Sequence, residues 1–221
     1  MEVGVTFLKM LQAIIRRPSE ITENPPLLVL LHGLGADEHD LMGLAAELSP
    51  KLLVVSIRAP IEYGNGGYAW FNIHWDAEGV HVDEDQVLAS RDILIETLTL
   101  LPEAIGIQPS TFLLGGFSQG AMMSLSVALG KPELIDGAIL MSGRLLPEFT
   151  PFEPFEATKR LPFLVQHGAS DQVLPVEGSR AIRDYLIGLG CDVTYREYPM
   201  AHEISQRSLA DVRNWIDERL R

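Results

Sequence analysis

Along the chain, short apolar runs alternate with amphipathic stretches. Residues 27–32 (LLVLLH) lead through glycines into 37–50 (DEHDLMGLAAELSP), and 51–57 (KLLVVSI) lead through an irregular segment into a helical stretch over 82–104. Residues 111–117 (TFLLGGF) open directly onto 118–130 (SQGAMMSLSVALG). Further apolar runs follow at 137–143, 161–168 and 191–199, with a helical stretch over 175–190 between the last two. The chain closes on SQRSLADVRNWIDERLR, where Leu209, Val212, Ile216 and Leu220 share one helical stripe. Most of the predicted strands are continuous apolar runs, not alternating ones. Strands buried on both faces have this pattern, so it predicts an α/β fold, a mostly parallel central sheet with helices on both faces. The first run, VTFLKMLQAII (5–15), fits a strand or a helix, and an edge strand is the favoured reading.

One segment departs from the rhythm. Residues 61–81 read IEYGNGGYAWFNIHWDAEGVH, with four glycines, two tryptophans and no periodicity. A loop of that length in a compact domain points to function. It predicts a structureless loop over the site, with Trp70 and Phe71 either shaping a substrate pocket or buried as core.

Composition narrows the function classes. The 221 residues suit one domain spanning 1–221, and no linker or repeat divides them. A net charge of −13 argues against nucleic-acid backbones and anionic bilayers, which would repel it. The single cysteine, Cys191, excludes an internal disulfide and fits a reducing compartment. No stretch approaches the roughly 18 apolar residues of a membrane span, and the N-terminus lacks a leader pattern. The expectation is a cytoplasmic protein without stable membrane insertion.

The chemistry centres on Gly116–Phe117–Ser118–Gln119–Gly120. A nucleophile lifted onto a tight strand-to-helix turn needs glycines two places either side, because side chains there would strike each other or the next strand. Ser118 needs a base, and in the order Ser, acid, His the base is His202, just beyond the last predicted strand. His167 precedes the acid and falls out of order. Asp171, a few residues past LPFLVQ, is the chosen orienting carboxylate, with Asp192 and Glu203 as competitors. The Gln119 N–H at a helix start would be one oxyanion donor. The Leu34 N–H, in the glycine turn His32–Gly33–Leu34–Gly35, would be the second, leaving His32 a structural hydrogen-bonding role. His74 and His81 flank Asp76 and Glu78, where a solvated loop is favoured over a metal site.

The pieces LLHGLG (30–35), RAP (58–60), AWF (69–71), LLGGFSQGAMMSL (113–125), HGASDQVLP (167–175) and AHEIS (201–205) resemble the small carboxylesterases and lysophospholipases that include the acyl-protein thioesterases. The resemblance implies the α/β-hydrolase fold, a Ser118–His202–Asp171 triad and oxyanion donors from Leu34 and Gln119. It also implies an acyl pocket shaped around Trp70 and Phe71, with no metal or cofactor. Two departures from that family's pattern are visible: Ala201 where glycine usually precedes the base, and Ala36 where aspartate often follows HGLG. The expected function is a serine carboxylesterase for short to medium acyl chains. The alternatives are a lysophospholipase or acyl-protein thioesterase for longer chains, and a non-catalytic ligand-binding protein on the same scaffold. The expected partner is a small-molecule or lipid ester, and an exposed apolar groove would serve either a lipid chain or a second subunit in a homodimer.

Overall fold

In the computed structural model, residues 3–5, 10–20, 22–76, 79–147 and 155–220 are described. Eight strands form one sheet: β1 (Val3–Val5), β2 (Ala13–Arg16), β3 (Leu27–Leu31), β4 (Leu53–Ile57), β9 (Phe112–Phe117), β10 (Gly137–Met141), β11 (Pro162–Gly168) and β12 (Asp192–Tyr198). Their spatial order is β1-β2-β4-β3-β9-β10-β11-β12. The β1–β2 and β2–β4 pairs are antiparallel, and every pair from β4 to β12 is parallel. The predicted α/β-hydrolase architecture is therefore present.

The parallel strands are apolar throughout because their alternate side chains enter two different cores. Leu27, Val29 and Leu31 of β3 pack with Leu114, Leu140 and Val165 on one face, together with α2 (Glu84–Ala104), α3 (Gln119–Gly130) and α4 (Glu177–Gly188). The intervening Leu28 and Leu30 join Val54, Leu113, Ile139 and Leu164 on the other. That second face is covered by α1 (Met42–Ala45) and by α5 (Gln206–Arg219), which contributes the predicted stripe Leu209, Val212 and Ile216. Period-2 side-chain alternation with a helix layer on each side accounts for the continuous runs.

Two expectations need correction. The initial run does not form one edge strand: β1 is the edge, and β2 lies inside it, bonded to β4. Residues 6–9 of that run lie outside the described residues. Nor is the segment after Ile61 structureless. It folds into two antiparallel hairpins, β5 (Ile61–Tyr63) with β6 (Gly67–Ala69), and β7 (Ile73–Asp76) with β8 (Gly79–Val82). These strands are three or four residues long, too short to show a period among the glycines. Among the described residues, no helix is long and apolar enough to cross a membrane.

Candidate active site

Ser118 stands between the end of β9 and the start of α3, at φ 56° and ψ −118°, a region that a non-glycine residue rarely occupies. The turn is held from below by a 2.9 Å hydrogen bond from the Ser118 N–H to the Met141 carbonyl at the end of β10. Serine at a helix start ordinarily caps the helix with its hydroxyl, but this one makes no capping bond and its hydroxyl stays available. The flanking glycines are required sterically. A Cβ on Gly116 would lie 2.2 Å from the Gly120 carbonyl carbon, and a Cβ on Gly120 would lie 1.9 Å from the Leu31 oxygen of β3. Both predicted collisions, with each other and with the adjacent strand, are present.

His202 follows β12, and its Nε2 sits 3.0 Å from Ser118 Oγ, while its Nδ1 sits 2.6 Å from Asp171 Oδ2. Asp171 follows β11, and its side chain is fully buried. Its other oxygen, Oδ1, accepts the N–H groups of Val173 at 2.9 Å and Leu174 at 2.8 Å. Burial by itself would raise the Asp171 carboxyl. The hydrogen bonds from His202, Leu174 and Val173 outweigh it and hold the group below the usual carboxylate range, so it stays ionised. Phe117 packs its ring 4.7 Å from the imidazole of His202, tilted by 45°. The Ala201 departure is accommodated: residue 201 is exposed and does not carry a positive φ, so no glycine is needed there.

The rejected candidates are elsewhere. Asp192 is exposed at the far end of the sheet, in register with Pro162 and 3.9 Å from Arg219. Glu203 is exposed. The Cys191 thiol lies 3.5 Å from the Thr158 carbonyl, and burial pushes its pKa up, away from nucleophilic thiolate. His74 and His81 are register partners across β7–β8 and are exposed, while Glu78 lies outside the described residues. Among the described residues, no cluster of three metal-ligating side chains occurs.

The glycine turn after β3 reaches the same place. Leu34 and Gln119 both line the cavity above Ser118, and among the described residues neither backbone N–H has an acceptor. Free N–H groups on the wall of one cavity are of the kind that suits a developing oxyanion. His32 anchors this turn. Its Nε2 accepts the Ala59 N–H at 3.0 Å, so Nδ1 carries the hydrogen and donates to the Gly33 carbonyl at 2.7 Å. The ring is wholly buried, and burial lowers its pKa, which keeps it neutral. A second anchor is the ion pair of Arg58 with buried Glu38, extended by Arg58 bonds to Gln12 at 2.8 Å and Tyr68 at 3.1 Å. Tyr68 in turn bonds through its backbone to Gly35 and Ala36. The RAP piece of the sequence thus holds the glycine turn twice, through Ala59 and through Arg58.

Trp70 and Phe71 divide the two readings between them. Both are fully buried, but Phe71 lines the cavity while Trp70 does not. As a correction, Trp70 is a core residue whose indole N–H donates to the His32 carbonyl at 3.0 Å. Their placement depends on a contact that the sequence reading missed. The Gln119 side chain accepts the Trp70 N–H at 3.0 Å and donates to the Phe71 carbonyl at 2.8 Å. His167 is a further residue whose part was not foreseen. Its Nε2 donates to the Leu174 carbonyl at 2.8 Å and lies 3.2 Å from Asp171 Oδ2, bracing the carboxylate from behind.

The cavity has a volume of about 550 Å³ and is lined mostly by apolar side chains, including Ile73, Val82, Met122 and Leu174. Residues 13–220 match the phospholipase/carboxylesterase family. The chain belongs to that family. It is accordingly an ester hydrolase of the serine type. Esterase YpfH of Escherichia coli is 33% identical over 193 residues, covering 83% of this chain and 78% of YpfH. Acyl-protein thioesterase 1 of Gibberella zeae is 34% identical over 119 residues, so the chain spans about half the length of that relative (51%), with 52% of its own. Among solved structures, esterase PE8 superposes with a TM-score of 0.81 at 29% identity, covering 95% of this chain and 99% of PE8.

Proposed function

We propose that the chain is a carboxylesterase that works through an acyl-enzyme on Ser118, with His202 as base and acid and Asp171 as the orienting carboxylate. The observation that carries this reading is the unbroken hydrogen-bonded line from Ser118 Oγ through His202 to Asp171, opening onto an apolar cavity. Nδ1–H of His202 donates to Asp171, which leaves Nε2 free to take the Ser118 proton as Oγ bonds to the ester carbonyl. The carbonyl oxygen becomes negative and is held by the Leu34 and Gln119 N–H groups. His202 then gives its proton to the departing alcohol oxygen. Water enters and loses a proton to Nε2 as its oxygen bonds to the acyl carbon; the bond to Ser118 Oγ then breaks, Oγ takes that proton back from Nε2, and the acid departs. Every proton is accounted for by one imidazole, and the reaction needs no metal or cofactor.

The cavity volume is in the range that encloses a small organic ligand, which favours short to medium acyl chains. A longer-chain reading draws support from the thioesterase among the relatives and from Val173, an exposed apolar side chain at the cavity rim. The test is hydrolysis of p-nitrophenyl esters from acetate to palmitate, with an acyl thioester and a lysophospholipid alongside. Activity should peak at short to medium chains, and Ser118→Ala should abolish it together with fluorophosphonate labelling. Intact hydrolysis in that variant would refute the mechanism. Absence of labelling in the native chain would favour a ligand-binding role instead.

A further inference from the structure

Arg144 lies three residues beyond β10, on the segment that passes the nucleophile turn, and it lines the cavity that contains Ser118 and His202. It is half-buried, and the cavity around it is otherwise apolar or backbone apart from Ser118, Gln119 and His202. The chain carries 30 carboxylates, yet among the described residues none lies within ion-pair distance of Arg144. Among the described residues it makes no hydrogen bond either, and it stacks on no ring. The exposed Arg17, Arg160, Arg207 and Arg213 also have no such partner, but the other half-buried arginines are engaged: Arg58, Arg91, Arg180, Arg183 and Arg219 each have a carboxylate, and Arg16 bonds three backbone carbonyls. Drawing a guanidinium out of water without a partner is costly, so a fold this rich in acids would be expected to pair it.

A guanidinium presents a planar fork that matches carboxylate and phosphate oxygens. Placed in the same cavity as the nucleophile and unpaired among the described residues, it is positioned to meet an anionic group on the substrate. We propose that Arg144 selects esters that carry a carboxylate or a phosphate away from the scissile carbonyl. This rests on reading Ser118 as the nucleophile. It also gives the strongly acidic chain a local means of holding an anion that its overall field would repel.

The experiment compares matched substrate pairs. One pair is p-nitrophenyl butyrate with mono-p-nitrophenyl succinate, which places a carboxylate on the acyl side. The other is monobutyrylglycerol with butyrylglycerol 3-phosphate, which places a phosphate on the alcohol side. In Arg144→Met, the anionic-to-neutral ratio of kcat/KM should fall about tenfold or more for at least one pair, carried by KM. Arg144→Lys should recover part of that ratio, and the ratio in the native chain should fall as salt is raised. The pair that responds identifies which anion is read. Fluorophosphonate labelling of Ser118 reports whether each variant is folded. A ratio within about twofold of the native value for both pairs, in a variant that still labels, overturns the proposal alone. Turnover of both pairs by Ser118→Ala overturns the nucleophile reading beneath it.

Discussion

Replacing Gln119 by alanine separates two roles that this residue combines. Its backbone N–H would hold the oxyanion, whereas its side chain bridges the Trp70 N–H and the Phe71 carbonyl at 3.0 and 2.8 Å. Alanine keeps the N–H and removes the bridge. Gln119, Trp70 and Phe71 are all buried, so both orphaned backbone groups lose their partner out of reach of bulk water. Each such loss costs about 1–3 kcal/mol, or about 2–6 kcal/mol for the pair. A water entering the vacated space would offset part, so the expected loss is about 3 kcal/mol. For a chain of this length that lowers Tm by roughly 6–12 °C.

Urea and thermal unfolding measure this directly, and steady-state kinetics report on the site. KM should rise more than kcat falls, because Phe71 is a cavity wall and the oxyanion donor is retained. Gln119→Glu sharpens the test. One carboxylate oxygen can accept the Trp70 N–H, but the other faces the Phe71 carbonyl. Burial and that repulsion raise the carboxyl's folded pKa above its unfolded value of about 4.3. An acid whose folded pKa is raised destabilises the fold when ionised, so the Glu variant should gain stability as pH falls through that raised value. If Gln119→Ala unfolds within about 0.5 kcal/mol of the native chain, the bridge does not hold the Trp70–Phe71 segment and the reasoning is wrong.

Asp171→Asn should lower kcat by about 10³–10⁴-fold while leaving substrate binding largely intact, as loss of the carboxylate in such triads does; p-nitrophenyl butyrate kinetics check it. Because the Asp171 carboxyl is held below its unfolded value of 3.8, its stabilisation is complete above that pH and is lost on acidification through the lower folded value. The stability difference between native and Asp171→Asn chains should therefore shrink from pH 7 to pH 3 in urea unfolding. Arg58→Ala leaves the Glu38 side chain, 2% exposed, without its cation, and should cost about 3 kcal/mol. It should also reduce kcat, since the turn bearing Leu34 loses an anchor; Glu38→Gln in the same background should recover stability by removing the stranded charge.

The parts legible in the sequence are those where chemistry restricts residue type at a fixed spacing. The buried strands reveal themselves because both faces must be apolar, and Leu28 and Val29 of β3 do enter opposite cores. The nucleophile turn is legible because Gly116 and Gly120 have no substitute beside the backbones they approach. Asp171 and His202 are legible from chain order and from their position after β11 and β12. The hairpins β5–β6 and β7–β8 are not, since strands this short among glycines carry no period.

What escaped the sequence reading are long-range contacts made by residue types that are common on surfaces. A glutamine after the serine of a glycine-flanked motif reads as an incidental neighbour, yet Gln119 spans 48 and 49 residues to hold the cavity wall. The histidines show the same limit from the other side. Order along the chain excludes His167 as the base, but order says nothing of a second imidazole bracing the carboxylate at 3.2 Å. Arg144 belongs with them. Its significance lies in the partners it lacks among the described residues, which no local pattern in the sequence can show. The strained turn at Ser118 is then best understood as one member of a set. Its backbone is fixed by Met141, the Asp171 carboxylate by Val173, Leu174 and His167, and the facing glycine turn by His32 and Arg58. These restraints come from the ends of different strands, so loosening one, as the Arg58 variant does, should lower activity without dispersing the rest.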